Sequence, residues 1–357
     1  MEAANKLSNG IVVNIKEEVL HEPSLKDFDQ YRITKEKILP QNEPTITWND
    51  SPIGSPENLL AISAASKAGK TSLLSVIKAG AISEDGNIDG FQPIYVKPNF
   101  ERKAVLCIDP EQSEDDHQSN VNSVLKRAGI DHTPDYYREY NIRSLPFKQY
   151  KFILDNICEL SSLKFGGIHL IVIDGAADFI SSVNNEEEAK LIVEYFTHLS
   201  IKYHCALILV IHLNPGGDKE RGHLGSEIQR KCYGLITITK KDDISTAHPK
   251  FLRKASNGDI PLLNFTYSKE KGYHVQIDAQ DQEKISDKKA MTKVKIITSE
   301  VFSNIVSYNH TLAVQKIMQH TGKKETTSKN MLKDMQGWGF VVVGEDGRYR
   351  LNNESIQ

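Results

Sequence analysis

Residues 64–71 read Ala-Ala-Ser-Lys-Ala-Gly-Lys-Thr, between an apolar stretch with strand character and a stretch with helix character. The pattern is GxxxxGK[ST], with Ala64 in place of its first glycine. Such a loop turns its own N–H groups, and those of the following helix N-terminus, toward phosphate oxygens, while the helix dipole favours the anion. The expected phosphate-binding set is Ala65, Ser66, Lys67, Ala68, Gly69, Lys70, Thr71 and Ser72, with Lys70 reaching the β- and γ-phosphates and Thr71 placing its hydroxyl on Mg²⁺. Ala64 is a departure, because alanine in a left-handed backbone costs about 1–2 kcal/mol. Either that strain is tolerated or the loop begins in a turn that alanine adopts. An ordinary capped helix start is the competing reading of the same residues.

The stretch Ile168-His169-Leu170-Ile171-Val172-Ile173-Asp174 is an apolar strand ending in a carboxylate. Alone it reads as a strand followed by a turn. Paired with the phosphate loop upstream, Asp174 is expected to hold a water of the Mg²⁺ shell beside Thr71. A third strand, Val105-Leu106-Cys107-Ile108-Asp109, runs into Pro110-Glu111 and then the acidic helix start Glu114-Asp115-Asp116. In this position it resembles the strand of RecA-like ATPases that presents the catalytic glutamate. That resemblance implies Glu111 as general base on the attacking water, with Glu114 as its substitute; a solvated acid near a helix N-terminus is the alternative.

The run Ala206–Asn214, followed by Pro215-Gly216-Gly217-Asp218-Lys219-Glu220 and Arg221-Gly222-His223-Leu224-Gly225-Ser226, resembles the RepA-type hexameric helicases within the RecA-like superfamily. There a strand-end histidine senses the γ-phosphate and an Arg-Gly-x-x-x-Ser run follows a mobile loop. The resemblance implies that role for His212, and a glycine-rich loop over 213–226 whose Lys219 and Arg221 contact DNA in a central channel. Further on, Phe251-Leu252-Arg253-Lys254-Ala255-Ser256-Asn257-Gly258 resembles the Lys-x-Arg-Asn-Gly run by which a neighbouring subunit completes the ATP site. Lys254 matches the lysine, but Ser256 stands where the arginine is expected, so Arg253 either takes over its charge or the contact between subunits is weaker. The resemblance covers about residues 45–278. It implies ATP and Mg²⁺ as ligands and a homo-oligomer, with a hexameric ring as the expected form.

These residues need a scaffold, and alternating strand-like and helix-like segments from Thr45 to Ile277 supply one. Strands are expected at Leu59–Ser63, Ala104–Ile108, Tyr136–Ile142, Ile168–Ile173, Ala206–Ile211 and Leu235–Thr239, several of them continuously apolar as strands buried on both faces are. Helices are expected at Thr71–Ala79, Asp115–Ala128 and Glu186–Lys202, and a hairpin joins Pro261–Tyr267 to Tyr273–Ile277. The expected fold class is α/β: a RecA-like P-loop NTPase core with a mostly parallel central sheet, plus a small C-terminal winged-helix domain. Its divisions are an N-terminal arm over 1–45, the ATPase domain over 46–278, a charged linker over 279–298 and the winged-helix-like domain over 299–357.

In that last domain, Glu300–Tyr308, Thr311–His320 and Thr327–Gly337 are expected as helices, and Gly339–Val343 with Arg348–Leu351 as a ribbon. This order, with the segment Trp338–Leu351, resembles a winged helix and its wing. Hydroxyl residues at 326–328 suit an N-cap, and Met331, Leu332 and Met335 share one face. Ser328, Lys329 and Lys333 are then left for phosphates, with Lys323 and Lys324 nearby. From Lys288 to Lys333 there are nine lysines against Glu300 and Glu325, in a chain whose net charge is -3. DNA contact and a solvated, protein-docking face both fit that asymmetry.

Hydrophobic content of 39% and charged content of 25% are those of a globular protein, and no apolar run approaches a membrane span. The first residues lack the pattern of an export signal, so the expected location is the cytoplasm. Cys107, Cys158, Cys205 and Cys232 are widely spaced and three lie in or beside apolar runs, which favours buried thiols over disulfides or zinc. Three functions compete: a ring-forming, DNA-dependent ATPase of helicase or mobilisation type, an ATP-controlled DNA-binding regulator or loader, and, last, a small-metabolite kinase.

Overall fold

A computed structural model describes residues 24–39, 42–86, 88, 91–214, 216–256, 258, 260–302 and 307–356. The apolar run at Ile11–Ile15 lies outside them. The chain forms two units, Met1–Gln41 and Asn42–Gln357. In the described part of the first, a 3-10 helix spans Leu25–Tyr31, and the N–H of Ser24 donates to Asp27 Oδ2 at 2.7 Å.

The second unit is built on a nine-stranded sheet. In chain order its strands are β3 (Leu59–Ala64), β5 (Ala104–Asp109), β6 (Tyr137–Asn141), β7 (Ile168–Ile173), β8 (Ala206–His212), β9 (Gly234–Lys241), β10 (Ile244–Leu252), β11 (Leu263–Ser268) and β12 (Tyr273–Gln276). Their spatial order is β12-β11-β10-β9-β3-β8-β7-β5-β6, parallel from β9 to β6 and antiparallel from β9 outward to β12. A small antiparallel sheet of β1 (Ile46–Trp48), β2 (Ser51–Gly54) and β4 (Ile94–Val96) packs beside it. The fold is thus α/β with a mostly parallel central sheet.

Strand alternation divides the interior into two layers. Leu60, Ile62 and Ala64 join the core beneath α1 (Lys70–Ile82) and α2 (Glu114–Ala128). Leu59 and Ala61 face the other core, beneath α3 (Tyr150–Phe165), α4 (Glu186–Lys202) and α5 (Gly222–Lys231). All six residues of β3 are buried, as are all six of β5, which explains why these strands read as continuous apolar runs. The four cysteines are buried and unbridged. Among the described residues no helix is long and apolar enough to cross a membrane.

Residues 279–298, expected as a linker, instead form most of α6 (Ala279–Val301). Asp278 caps it by accepting from the N–H of Asp281 at 2.8 Å, and Val294, Ile297 and Val301 near its end enter a third core. Of the helix expected over Glu300–Tyr308, the first two residues end α6, Phe302 is extended, residues 303–306 lie outside the described residues, and Tyr308 bridges Tyr349. Then come α7 (His310–Thr321), α8 (Glu325–Gly337), β13 (Val341–Val343) and β14 (Tyr349–Leu351). The N-cap of α8 is Lys324, without a side-chain cap, because the expected hydroxyl residues already lie inside the helix. Ser328 is fully buried and not available to phosphate, while Met331, Leu332 and Met335 pack inward beside it.

Candidate nucleotide site

The loop between β3 and α1 sits at the C-terminal edge of the parallel strands. Ala64 is the last residue of β3, paired with His212 and Ile238, so alanine meets no left-handed requirement there. The strained positions are Lys67, at φ 60°, and Gly69, at φ 109°. A Cβ on Gly69 would lie 2.8 Å from Ser245 Oγ and 2.9 Å from Phe265 Cε2, so glycine is required for both backbone and space. Gly69 offers no side-chain cap to α1, as at the starts of α3, α5 and α8, whereas α2, α4 and α7 are capped by Ser113, Asn185 and Asn309. The first N–H groups of α1 therefore suit an anion, and this donor set fits a triphosphate. Ala65, Ser66 and Lys67 are exposed, Ala68 is buried, and Gly69, Lys70, Thr71 and Ser72 are half-buried.

Lys70 Nζ lies 3.0 Å from His212 Nδ1, across from the end of β8. His212 Nε2 lies 3.7 Å from Glu111 Oε2, close enough for charge interaction but too long for a hydrogen bond. Burial lowers the Lys70 ammonium below the usual lysine range, opposed by the carboxylates of Asp174 and Glu111. His212 holds the Glu111 carboxyl below its usual value, against some burial and with help from Lys70. Asp174, just beyond β7, is pushed up to about 6 by burial and by Asp109, with Lys78 and Lys70 opposing. Thr71 and Asp174 line one narrow cleft together with Asp109 and Gln112. Lys70, Thr71, Glu111, Asp174 and His212, drawn from three strand ends and one helix start, thus meet at a single place. A hydroxyl and a carboxylate sharing that cleft are the oxygen donors Mg²⁺ takes.

Glu114 lies in the first turn of α2 and lines a hollow beside Tyr140 and Asn141, away from this cleft. Sequence reasoning missed several neighbours. Asp109, 4% exposed, accepts from the N–H groups of Glu111 and Gln112 at 2.9 Å each and fixes the turn that presents Glu111. Asp178 lies beside Glu111, its carboxyl raised by burial and by that glutamate, and its place in Asp174-Gly175-Ala176-Ala177-Asp178 was the available signal. Ser72 Oγ lies 2.9 Å from His274 Nδ1 on β12, a pairing across 202 residues with no local signature.

Arg253 and Lys254 are exposed just past β10. Leu252 pairs with Gly234, which pairs with Leu60, so both residues lie at the sheet edge opposite their own phosphate loop. They cannot serve the site of their own chain. Lys219 and Arg221 are exposed on the loop after β8, and Lys323, Lys324, Lys329 and Lys333 are exposed on and before α8, with Lys329 paired to Glu325 at 2.7 Å.

A glycine-turned loop after a buried strand, a lysine and threonine opening the helix, and strand-end carboxylates around them define a P-loop ATPase. Residues 33–218, more than half of the chain, match the AAA domain family AAA_25, and the protein belongs to that family. The match includes Lys70, Thr71, Glu111, Asp174 and His212 and ends before Lys219. No curated protein matches the chain. Among solved structures, a KaiC-like protein from the hyperthermophilic archaeon Pyrococcus horikoshii OT3 is similar at 8% identity, covering 67% of this chain and 99% of its own, with a TM-score of 0.43.

Proposed function

We propose that this ATPase is DNA-dependent and ring-forming, of the RepA-like helicase or mobilisation type. Lys70 and the N–H groups of residues 65–72 hold the triphosphate, and Glu111 orients and deprotonates the attacking water. Thr71 and Asp174 would hold Mg²⁺, which would supply charge neutralisation to the phosphates. His212 faces the γ-phosphate end through its contact with Lys70. The observation that carries the DNA reading is the chain just after it. The N–H of Arg221 donates to the carbonyl of His212 at 2.9 Å, and the N–H of Asn214 donates to that of Lys219 at 2.8 Å, so exposed Lys219 and Arg221 ride on a hairpin rooted at His212. A phosphate-sensing residue and two cations suited to a nucleic-acid backbone are one hydrogen-bonded step apart.

The remote position of Arg253 and Lys254 supports completion of each site by a neighbouring copy, and the exposed lysines around α8, on a winged-helix-like module, support a second DNA contact. The regulator or loader reading keeps one specific point in its favour, Ser256 in place of the expected arginine. ATP turnover with and without single-stranded DNA, blanked by Lys70→Ala and followed by unwinding of a forked duplex, decides between them. Stimulation with unwinding supports the motor, stimulation or tight duplex binding without unwinding supports the regulator, and turnover indifferent to DNA together with no duplex binding overturns both.

A further inference from the structure

Glu220 lies between the two exposed cations of the hairpin, yet only 4% of it is exposed. Its carboxylate meets Lys250 Nζ at 2.9 and 3.0 Å and accepts from Ser63 Oγ at 3.3 Å. Each partner leads to a different part of the machine. Ser63 precedes Ala64 at the root of the phosphate loop and lies 3.0 Å from Thr237 Oγ1 on β9. Lys250 lies on β10 shortly before Arg253 and Lys254, and it also donates to the carbonyl of Asp218 in the hairpin at 2.7 Å.

Two backbone features are fitted to this contact. The β9–β10 register shifts between Pro249 and Phe251, so Lys250 is the extra residue of a bulge, a device that re-aims a side chain. Gly225, in the first turn of α5, has no Cβ; one would lie 2.5 Å from Glu220 Cβ and 2.8 Å from its carbonyl carbon. A buried ion pair is poor evidence of added stability, and its better attested use is to fix one arrangement over others.

We propose that Glu220 is the positioning residue that couples the nucleotide site to the basic hairpin, with Lys250 as the post against which it is held. The proposal rests on the ATPase reading of the site and deepens it. Movement of β3 or His212 when the γ-phosphate arrives shifts Glu220 through Ser63 and the hairpin hydrogen bonds. Lys219 and Arg221, its immediate neighbours, move with it, and contact of a polyanion with those cations is transmitted back along the same route.

The test is hydrogen exchange over residues 213–226, with and without Mg²⁺ and a non-hydrolysable ATP analogue, in the absence of nucleic acid. In the unsubstituted protein the analogue changes exchange about fivefold or more, the low end of coupling between linked sites. In Glu220→Gln and Lys250→Met that response is lost while binding of the analogue persists, and Lys250→Arg restores it, which a merely structural role would not require. Lys250 is the safer position, since its side chain is 27% exposed and tolerates solvent. A loop in Lys250→Met that responds as in the unsubstituted protein overturns the proposal, as does an unsubstituted loop indifferent to the analogue. Because no DNA is present, a responsive loop together with turnover that DNA fails to stimulate and no duplex binding sinks the DNA reading and leaves this coupling standing.

Discussion

Helix α1 carries two lysines two turns apart, and their surroundings separate a working site from a structural one. Lys70, at the open end, contacts His212 at 3.0 Å and shares the charges of Asp174 and Glu111. Lys78, buried in the middle, donates to Glu139 Oε1 at 2.7 Å, and that carboxylate also holds His117 Nε2 at 2.8 Å and the hydroxyl of Tyr137. Burial alone would lower Lys78, but Glu139 outweighs it and raises the ammonium above the usual range, whereas burial lowers Lys70. A lysine committed to its own carboxylate fixes packing between α1 and β6. A lysine that, among the described residues, has no ion-pair partner of its own can give its charge to an incoming phosphate.

Exchanging the two outcomes is the sharpest way to break this contrast. Lys78→Met leaves Glu139 buried beside a neutral chain and is expected to lower stability by about 3–5 kcal/mol, read by denaturant unfolding. Lys70→Met is expected to leave unfolding nearly unchanged but to slow ATP turnover by about 10²–10³-fold, the scale for loss of one preorganised charge contact. Equal destabilisation by both would erase the distinction. A smaller effect is the pH dependence of Glu139, whose carboxyl is depressed to about 2 by Lys78 and its hydrogen-bond donors, against the burial that would raise it. Its stabilisation, on the order of 3 kcal/mol, is present above the unfolded carboxyl value and is lost as pH falls from there through the folded value. Acid titration of unfolding free energy should show that decline, and Glu139→Gln should flatten it.

The same contrast marks what the sequence could disclose. The phosphate loop, Asp174 and His212 are local signals, each a short run joined to a strand end, and the structure brings them together. The bounds of β7 and α4 were legible because one is continuously apolar and the other has a clear apolar face, begun by the Asn185 cap. Helix α3 was not, since exposed Phe152, Leu160 and Leu163 blur the spacing of its buried face of Leu154 and Cys158. Strand β10 was hidden by Pro249 and the bulged Lys250. Lys78 and Glu139, 61 residues apart, and Glu220 with Lys250 carry no local signature, because only the fold supplies their partners. Charge-rich α6 looked like a linker because its buried residues, Val294, Ile297, Thr298 and Val301, are confined to its last turns.

The central claim is that one set of groups grips the triphosphate while Glu111 acts on water, so binding and hydrolysis separate at that residue. Calorimetric titration of Mg-ATP into Glu111→Gln, beside its turnover number, tests this directly. The account predicts affinity within about twofold of the unsubstituted protein and turnover reduced by about 10²-fold or more, the scale of general-base catalysis. Undiminished turnover in that variant, or no binding of Mg-ATP by the unsubstituted protein, would contradict it.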